Sequence, residues 1–334
     1  MSHAMPFRAR ITGTGGYAPP HVFTNDDMAK VVDTNDEWIR TRTGIVTRQR
    51  VAYEGEMSTA DMAEHAAKKA MEAAGCSAED LDMIVVGTVT PDYRCPSTAS
   101  ILQHKLGAYN AYGFDVGAAC AGSMHAMAIA ERFVVSGAAK KVLVVGGETL
   151  SVITNWTDRS TCVLFGDAAA AVILEPGPAD GPGFLEHKLY LDGRLWDAIY
   201  QPAGGSRQPA TPELLAEHKD RLVMNGREVY KFAVRALPKA AEEILESNGF
   251  APDDVKWVVA HQANMRIIEA VSDRLKLPLD RWIINIDRYG NTSSASTLMT
   301  YDEGLRDGRI QPGDLVLMLS IGAGLTWASA LYRV

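Results

Sequence analysis

Segments patterned as strands and segments patterned as helices alternate along this chain, and they run through one course twice. The apolar runs from Met83 to Val89, Lys141 to Gly146 and Val255 to Ala260 are rich in β-branched residues and bounded by glycine or polar residues, as buried strands are. The stretches from Thr59 to Ala74, Gly122 to Ser136 and Val229 to Ser247 carry apolar residues at helical spacing. Ser58-Thr-Ala-Asp61 enters the first of these as an N-cap, with Asp where a capping box usually has Glu. In the first half, a strand from Ile84 to Thr88 leads through a helix to a strand from Tyr112 to Val116. A helix after Cys120, a strand from Val142 to Val145 and a glycine-bent strand pair from Thr161 to Leu174 complete it. In the second half, a strand from Trp257 to Ala260 leads through a helix from Asn264 to Leu275 to a strand from Trp282 to Ile286. A helix from Ser294 and strands from Leu315 to Ser320 and Leu325 to Arg333 follow. The Pro-, Gly- and Asp-rich segment from Glu175 to Gly183 reads as the seam, dividing residues 6–178 from 179–334. Any α/β chain can produce such a pattern by chance, so the duplication is an expectation for the structure to test.

Under that alignment Cys120 and Asn291 occupy equivalent strand-to-helix junctions, and His261 follows the strand equivalent to Ile84–Thr88. A pseudo-twofold pairing would bring all three together. A thiol at a helix start faces unpaired N–H groups and the positive end of the helix dipole, which favour the thiolate. A lone cysteine is usually an inert packing residue; Cys, His and Asn at three such junctions are a far more specific pattern.

The bulk properties narrow the field. The chain of 334 residues is 47% hydrophobic and 22% charged, which is the usage of a compact domain with a large core. Its net charge of −8 argues against a general nucleic-acid binder. No apolar run has the length of a membrane span, and no signal peptide opens the chain. Met1–Met5 reads as a partly artificial scar and is set aside. Cys76, Cys95, Cys120 and Cys162 show no metal-type spacing, which predicts a reduced cytoplasmic protein without a metal. Gly13-Thr-Gly-Gly16 hints at a phosphate-binding turn but lacks the third Rossmann glycine, so a tight surface turn is the plainer reading.

Four motifs carry a resemblance to a known family: Asp115-Val-Gly-Ala-Ala-Cys-Ala-Gly122, His261-Gln-Ala-Asn-Met-Arg266, Asp287-Arg-Tyr-Gly-Asn-Thr-Ser293 and Ile321-Gly-Ala-Gly-Leu-Thr-Trp327. Further support comes from the run Asp33 to Ile45, Asp158-Arg159, Phe165-Gly-Asp167 and the run Asn225 to Lys231. In this order they resemble β-ketoacyl-acyl carrier protein synthase III, the initiating condensing enzyme of bacterial type II fatty acid synthesis, within the thiolase superfamily. The resemblance implies a five-layered αβαβα thiolase-like fold with two pseudo-duplicated halves, and a homodimer. It implies that Cys120 is acylated by an acyl-CoA primer, with the backbone N–H groups of Cys120 and Ala323 as the oxyanion hole. Family members often carry Gly at the position of Ala323, and Ala serves there only if no positive φ is required. Neutral His261 and Asn291 are then donors to malonyl-acyl carrier protein as it loses CO2. Thr34, Trp38, Arg42, Arg159, Gly226 and Asn264 are the implied CoA contacts, with the adenine sandwiched between Trp38 and Arg159. Lys231, Gln262, Ala263, Asn264, Met265, Arg266 and Arg274 form the implied carrier-protein rim, although Glu269 and Asp273 also suit a plain solvated face around Arg274. Cys95, offered to the partner subunit, would line the acyl pocket with Leu150 and Phe165. No cofactor is implied, since acyl-CoA is a substrate.

The same residues weigh against the rivals. A degradative thiolase needs a second cysteine near the C-terminal Gly-rich loop, and no cysteine follows Cys162. An elongating ketosynthase carries a second His where this chain has Asn291. A relative making a specialised metabolite, or moving the acyl group to oxygen or nitrogen, would keep the same triad. A Cys-His-Asn hydrolase would release neither CO2 nor a ketoacyl product. An intact triad argues against a non-catalytic binding paralogue.

Overall fold

The computed structural model describes residues 7–52 and 55–334; Met1–Met5 lie outside the described residues. Two five-stranded sheets form its frame. The first contains β1 (Phe7–Tyr17), β2 (Met83–Gly87), β3 (Tyr112–Val116), β4 (Val142–Glu148) and β5 (Ala168–Pro178). Its lateral order is β1-β5-β4-β2-β3. The second contains β6 (Gly183–Leu191), β7 (Trp257–Ala260), β8 (Trp282–Ile283), β9 (Leu315–Gly322) and β10 (Thr326–Arg333), in the order β6-β10-β9-β7-β8. In each sheet the first two pairings are antiparallel and the last two parallel. Order and sense agree strand for strand, so the duplication expected from the sequence is present in the fold.

The layers follow from residue alternation. Along β2 and β4, Met83, Val85, Val142 and Val144 face one core while Ile84, Val86, Leu143 and Val145 face another, as the two-residue period of a strand buried on both faces requires. In the second sheet Val316 and Met318 face the first of these cores, and Leu315, Leu317 and Leu319 face a third. Helices α1 (Thr59–Ala74) and α2 (Thr98–Leu106) cover the outer face of the first sheet. Helix α3 (Gly122–Val135) lies between the sheets, α4 (Gly226–Ser247) and α5 (Met265–Leu275) cover the outer face of the second, and α6 (Ala295–Arg306) returns to the centre. Helix, sheet, helix pair, sheet and helix make the five layers. The Asp at Ser58-Thr-Ala-Asp61 suffices for a capping box, with Ser58 N–H donating to Asp61 at 2.8 Å.

Four local expectations are corrected. Gly13–Gly16 is neither a phosphate turn nor a surface turn, since it lies within β1. A Cβ on Gly13 would stand 2.1 Å from the Ala70 carbonyl, and one on Gly15 would stand 2.4 Å from that of Ala66. The glycines are there because the backbone of α1 packs directly on the strand. The stretch from Thr161 to Leu174 is not a strand pair: a short helix, Arg159–Cys162, is followed by a loop, and β5 starts at Ala168. Asp167 holds that loop by accepting the N–H groups of Val51 and Ser151 and the Ser151 hydroxyl. The seam is shorter than its composition suggests, because β5 runs on to Pro178 beside β1 alone. Finally, β8 stops at Ile283, and Gln262 Oε1 takes the N–H groups of Asn285 and Ile286.

Candidate functional site

The N-termini of the two central helices meet at the C-terminal ends of the sheet strands, and small residues permit the approach. A Cβ on Gly87 would lie 2.5 Å from the Gly122 carbonyl carbon, and one on Gly146 would lie 2.3 Å from the Ser294 carbonyl oxygen. Each helix is entered through a residue held in the left-handed region, Ala119 at φ 47° and Ser293 at φ 49°. Strain of this kind persists where the surroundings over-determine the backbone. They do so around Cys120: Ser320 Oγ donates to the Cys120 carbonyl at 2.8 Å, and Thr326 Oγ1 donates to that of Ala118 at 3.0 Å. Gly322 packs so closely that a Cβ there would lie 2.6 Å from the Cys120 nitrogen. The second half thus clamps the turn that carries the first half's thiol.

Cys120, His261 and Asn291 line one cavity of about 750 Å³. His261 is buried, and the Ser296 hydroxyl lies 2.5 Å from its Nδ1 and 2.9 Å from the Ser293 carbonyl. That carbonyl already receives the Ser296 N–H at 3.2 Å. The Ser296 hydroxyl thus engages Nδ1, which leaves Nε2 as the ring nitrogen free for a ligand. Burial pulls His261 down to about 3, so the ring is neutral at pH 7, as expected. Asn291 is fixed through its backbone, accepting from Gly166 N–H at 3.0 Å and donating to the Leu164 carbonyl at 2.8 Å. Its Oδ1 accepts the Ser293 N–H at 2.9 Å, which leaves Nδ2 as the free donor. Ala323 is not among the residues of positive φ, and Gly324 takes that conformation at 126°. Alanine therefore costs this loop nothing at position 323.

The thiol departs from expectation. Burial pushes Cys120 up to about 11 and the charge of Glu148 adds to the rise, while a hydrogen bond from Ser293 works against it. The helix terminus does not make a resting thiolate here.

Comparison with known proteins decides the family. The model for 3-oxoacyl-[acyl-carrier-protein] synthase III matches residues 114–193, and the model for the C-terminal part of that family matches residues 245–334. The β-ketoacyl-[acyl-carrier-protein] synthase III of Xanthomonas campestris pv. campestris (strain 8004) is 49% identical over 328 residues, covering 97% of this chain and 98% of that one. The chain belongs to the 3-oxoacyl-[acyl-carrier-protein] synthase III family. Among solved structures, the synthase III of Aquifex aeolicus VF5 is similar at 42% identity and a TM-score of 0.89, covering 98% of this chain and 100% of that one. The priming β-ketosynthase of the R1128 polyketide pathway is similar at 35% identity and a TM-score of 0.90, covering 100% and 99%.

Around the synthase cavity, the other residues singled out from the sequence separate into groups. Trp38, Arg42, Gly226 and Asn264 line it, and Asn264 also caps α5 by accepting the Arg266 N–H at 2.9 Å. The Arg159 guanidinium carbon lies 4.8 Å from the Trp38 ring centre and that of Arg42 lies 5.2 Å away. No ring fits between Trp38 and Arg159 at that separation, so the adenine sandwich requires Arg159 to swing outward from the Asp33 carbonyl that it now binds at 2.8 Å. Thr34 Oγ1 is buried without a hydrogen-bond partner.

The rim set also changes. Gln262 is buried, its amide donating to the Ala260 and Ile283 carbonyls while its oxygen holds Asn285 and Ile286. It is a structural tie and leaves the rim. Met265 packs against the cores, and Ala263 and Arg266 line the cavity. Lys231 is exposed and paired with Glu228 at 2.7 Å, and Arg274 lies in the last turn of α5, away from the mouth. Leu150 and Phe165 line the cavity, whereas Cys95 is exposed and stands outside it within its own chain. Sequence reasoning gave no role to Ser293, Ser296 or Glu148, since only their spatial pairing with Cys120 and His261 marks them out.

Proposed function

We propose that this synthase joins an acyl-CoA primer to malonyl-acyl carrier protein by decarboxylative Claisen condensation, giving 3-ketoacyl-acyl carrier protein, CoA and CO2, and so initiates fatty acid synthesis. The observation that carries this reading is the meeting of a thiol, a neutral imidazole and a free amide donor in the lining of one largely apolar cavity. Cys120 attacks the thioester carbon of the primer, and the oxyanion is held by the backbone N–H groups of Cys120 and Ala323. After CoA leaves, His261 Nε2–H and Asn291 Nδ2–H donate to the malonyl thioester carbonyl. They stabilise the enolate formed as the bond to CO2 breaks. The enolate carbon then attacks the acyl-Cys120 thioester and displaces the sulfur. Loss of CO2 drives the condensation, so no strong base at carbon is needed.

In this reading Thr34, Trp38, Arg42, Arg159, Gly226 and Asn264 hold CoA at the mouth. Lys231, Ala263, Met265, Arg266 and Arg274 edge the carrier-protein surface. No cofactor takes part. The working unit is a cytoplasmic homodimer of two-halved chains, 6–178 and 179–334, each offering Cys95 to its partner's acyl pocket. The exposure of Tyr93 and Cys95 supports this assembly. Incubation with acyl-CoA alone tests the first step. Intact-protein mass spectrometry should find one acyl adduct, on Cys120 and absent from Cys120→Ala. An adduct mapping to Cys95 or Cys162 overturns the assignment.

The likeness to a priming ketosynthase of polyketide synthesis favours a second reading, in which the same condensation primes a specialised metabolite. Rates with the carrier proteins of the two pathways separate the readings.

A further inference from the structure

Arg48 lies in the short strand Thr47–Gln49 and is fully buried. Its guanidinium is held by oxygens alone. One terminal nitrogen donates to Asn25 Oδ1 at 2.8 Å and to the Phe23 carbonyl at 3.3 Å, and the other donates to the Val163 carbonyl at 2.9 Å. Its Nε has no partner, and among the described residues no carboxylate pairs with the charge. A guanidinium is always charged. Buried without a counter-ion, it adds little stability over an apolar side chain of its size, which points to a task in what it holds.

At one end these bonds reach the cavity mouth. Asn25 has to present its oxygen to Arg48, so its amide hydrogens go to Asp36 Oδ1 and the Ile45 carbonyl, each at 2.8 Å. Asp36 opens the helix Asp36–Thr43, which brings Trp38 and Arg42 to the cavity. At the other end they reach Asn291. Val163, Leu164 and Phe165 line the cavity, and this strip runs alongside Asn291. Its Leu164 carbonyl takes the Asn291 N–H at 2.8 Å, and its Gly166 N–H donates to the Asn291 carbonyl at 3.0 Å. The stem of Arg48 backs the same bridge, since a Cβ on Gly166 or on Gly290 would lie 3.3 Å from the Arg48 Cβ. The Asn291 side chain is tied through Oδ1 to its own loop, at Ser293 N–H. Where its Nδ2 stands is therefore decided by where the bridge holds its backbone.

We propose that Arg48 is a positioning residue for CO2 release: by holding the Val163 carbonyl against Asn25, it sets where the Leu164–Gly166 strip, and with it the Asn291 amide, stands in the cavity. A planar guanidinium suits the task, because its rigid fork fixes two directions at once. An amide donor stabilises a developing enolate only from the right place, and a misplacement of about 1 Å can cost about 10²-fold in rate. Cys120 stands apart from this strut. Its turn is clamped by Ser320, Thr326 and Gly322 of the second half, so acylation does not depend on Arg48.

This proposal rests on the reading of Asn291 as a donor in CO2 release. Its test measures the two half-reactions separately for the parent, Arg48→Met, Asn291→Ala and the double variant. Acylation by butyryl-CoA is followed by intact mass, and CO2 release from malonyl-acyl carrier protein is measured on the same proteins acylated beforehand. Arg48→Met keeps the bulk of the stem and removes the donors. It should slow CO2 release by about 10- to 100-fold, while acylation stays within about threefold. In the double variant Arg48→Met should add less than about twofold to the loss from Asn291→Ala, because residues that act through one group are not additive. Asn25→Ala leaves the charge in place but frees the guanidinium from its anchor. It should show the same one-sided, non-additive loss, of about three- to tenfold, and it decides the matter if Arg48→Met does not fold. Parental CO2 release in either variant would overturn the proposal. So would equal losses in both half-reactions, or losses that multiply in the double variant, since these mark a structural tie alone. Parental CO2 release in Asn291→Ala would overturn the donor reading itself, and that variant alone tells the two failures apart.

Discussion

The connection from the fourth to the fifth strand does different work in the two halves. In the second half it is the three-residue turn Ala323–Leu325, which together with Gly322 presses backbone against the Cys120 N–H. In the first half it runs from Thr149 to Asp167 and supplies Leu150, Ile153, Val163 and Phe165 to the cavity wall. In the proposed mechanism one topological link is the oxyanion-binding turn, and its counterpart walls the acyl pocket. Where chain length is unchanged, the halves diverge by single side chains. Gly87, Cys120, Gly122 and Gly146 have counterparts at His261, Ser294, Ser296 and Ser320, at one constant spacing along the chain. The glycine pair Gly87 and Gly122 is a close backbone approach; the equivalent pair, His261 and Ser296, is a hydrogen bond that holds the imidazole. The fold is repeated, and in the proposed mechanism its chemistry is divided: the first half holds the acyl group, and the second half's side chains act on the malonyl group.

That division breaks most visibly at His261 and Asn291. His261→Ala and Asn291→Ala should each cut CO2 release by about 10²–10³-fold, the scale of a lost oxyanion donor, while acylation of Cys120 persists. Equal losses in both half-reactions would mean that His261 chiefly activates the thiol, and the halves would share one task. A smaller effect is expected at Ser296. Ser296→Ala removes the hydroxyl that holds His261 Nδ1 and should slow CO2 release by about tenfold, in keeping with one hydrogen bond. The acyl-adduct rate should hold, and equal slowing of both steps would show that Ser296 does not act through His261.

The same division explains what was legible beforehand. Strands such as Met83–Gly87 and Trp257–Ala260 were readable because burial on both faces demands β-branched apolar runs. Cys120, His261 and Asn291 were readable because their motifs stand at strand-to-helix junctions. β1 was hidden because its glycines answer to α1, a partner far along the chain. Gln262 looked like a surface residue beside His261, and only the course of the chain beyond β8 gives its oxygen two N–H groups to hold. The elevated thiol of Cys120 was hidden for the same reason: a helix start is local and visible in sequence, whereas burial and the nearness of Glu148 are products of packing.

The cavity wall of the first half should show as chain-length preference. Each methylene buried there contributes about 0.8 kcal/mol, or about fourfold in kcat/KM, from acetyl- through butyryl-CoA. Ile153→Phe narrows the wall from within the chain and should flatten the series, and Cys95→Phe should do so only if the partner's loop reaches the cavity. A parent that rejects everything beyond acetyl would show the wall to be closed.

The smallest expected effect is the one that separates the halves by pH. An imidazole of ordinary pKa, near 6.5, would lose about nine-tenths of its neutral form by pH 5.5. With burial holding His261 down to about 3, its donor form persists across that range. CO2 release by pre-acylated enzyme should therefore change less than about twofold between pH 8 and 5.5. Stability carries the opposite trace. Between about pH 3 and 6.5 the unfolded chain binds a proton at His261 that the folded chain refuses, so stability rises with pH through that window and falls on acidification. His261→Gln should flatten this dependence in denaturant titrations at pH 4.5 and 7. A parent whose CO2 release falls about tenfold by pH 5.5 would place an ordinary, solvated imidazole at position 261, and the contrast with the closed glycine pair of the first half would fail with it.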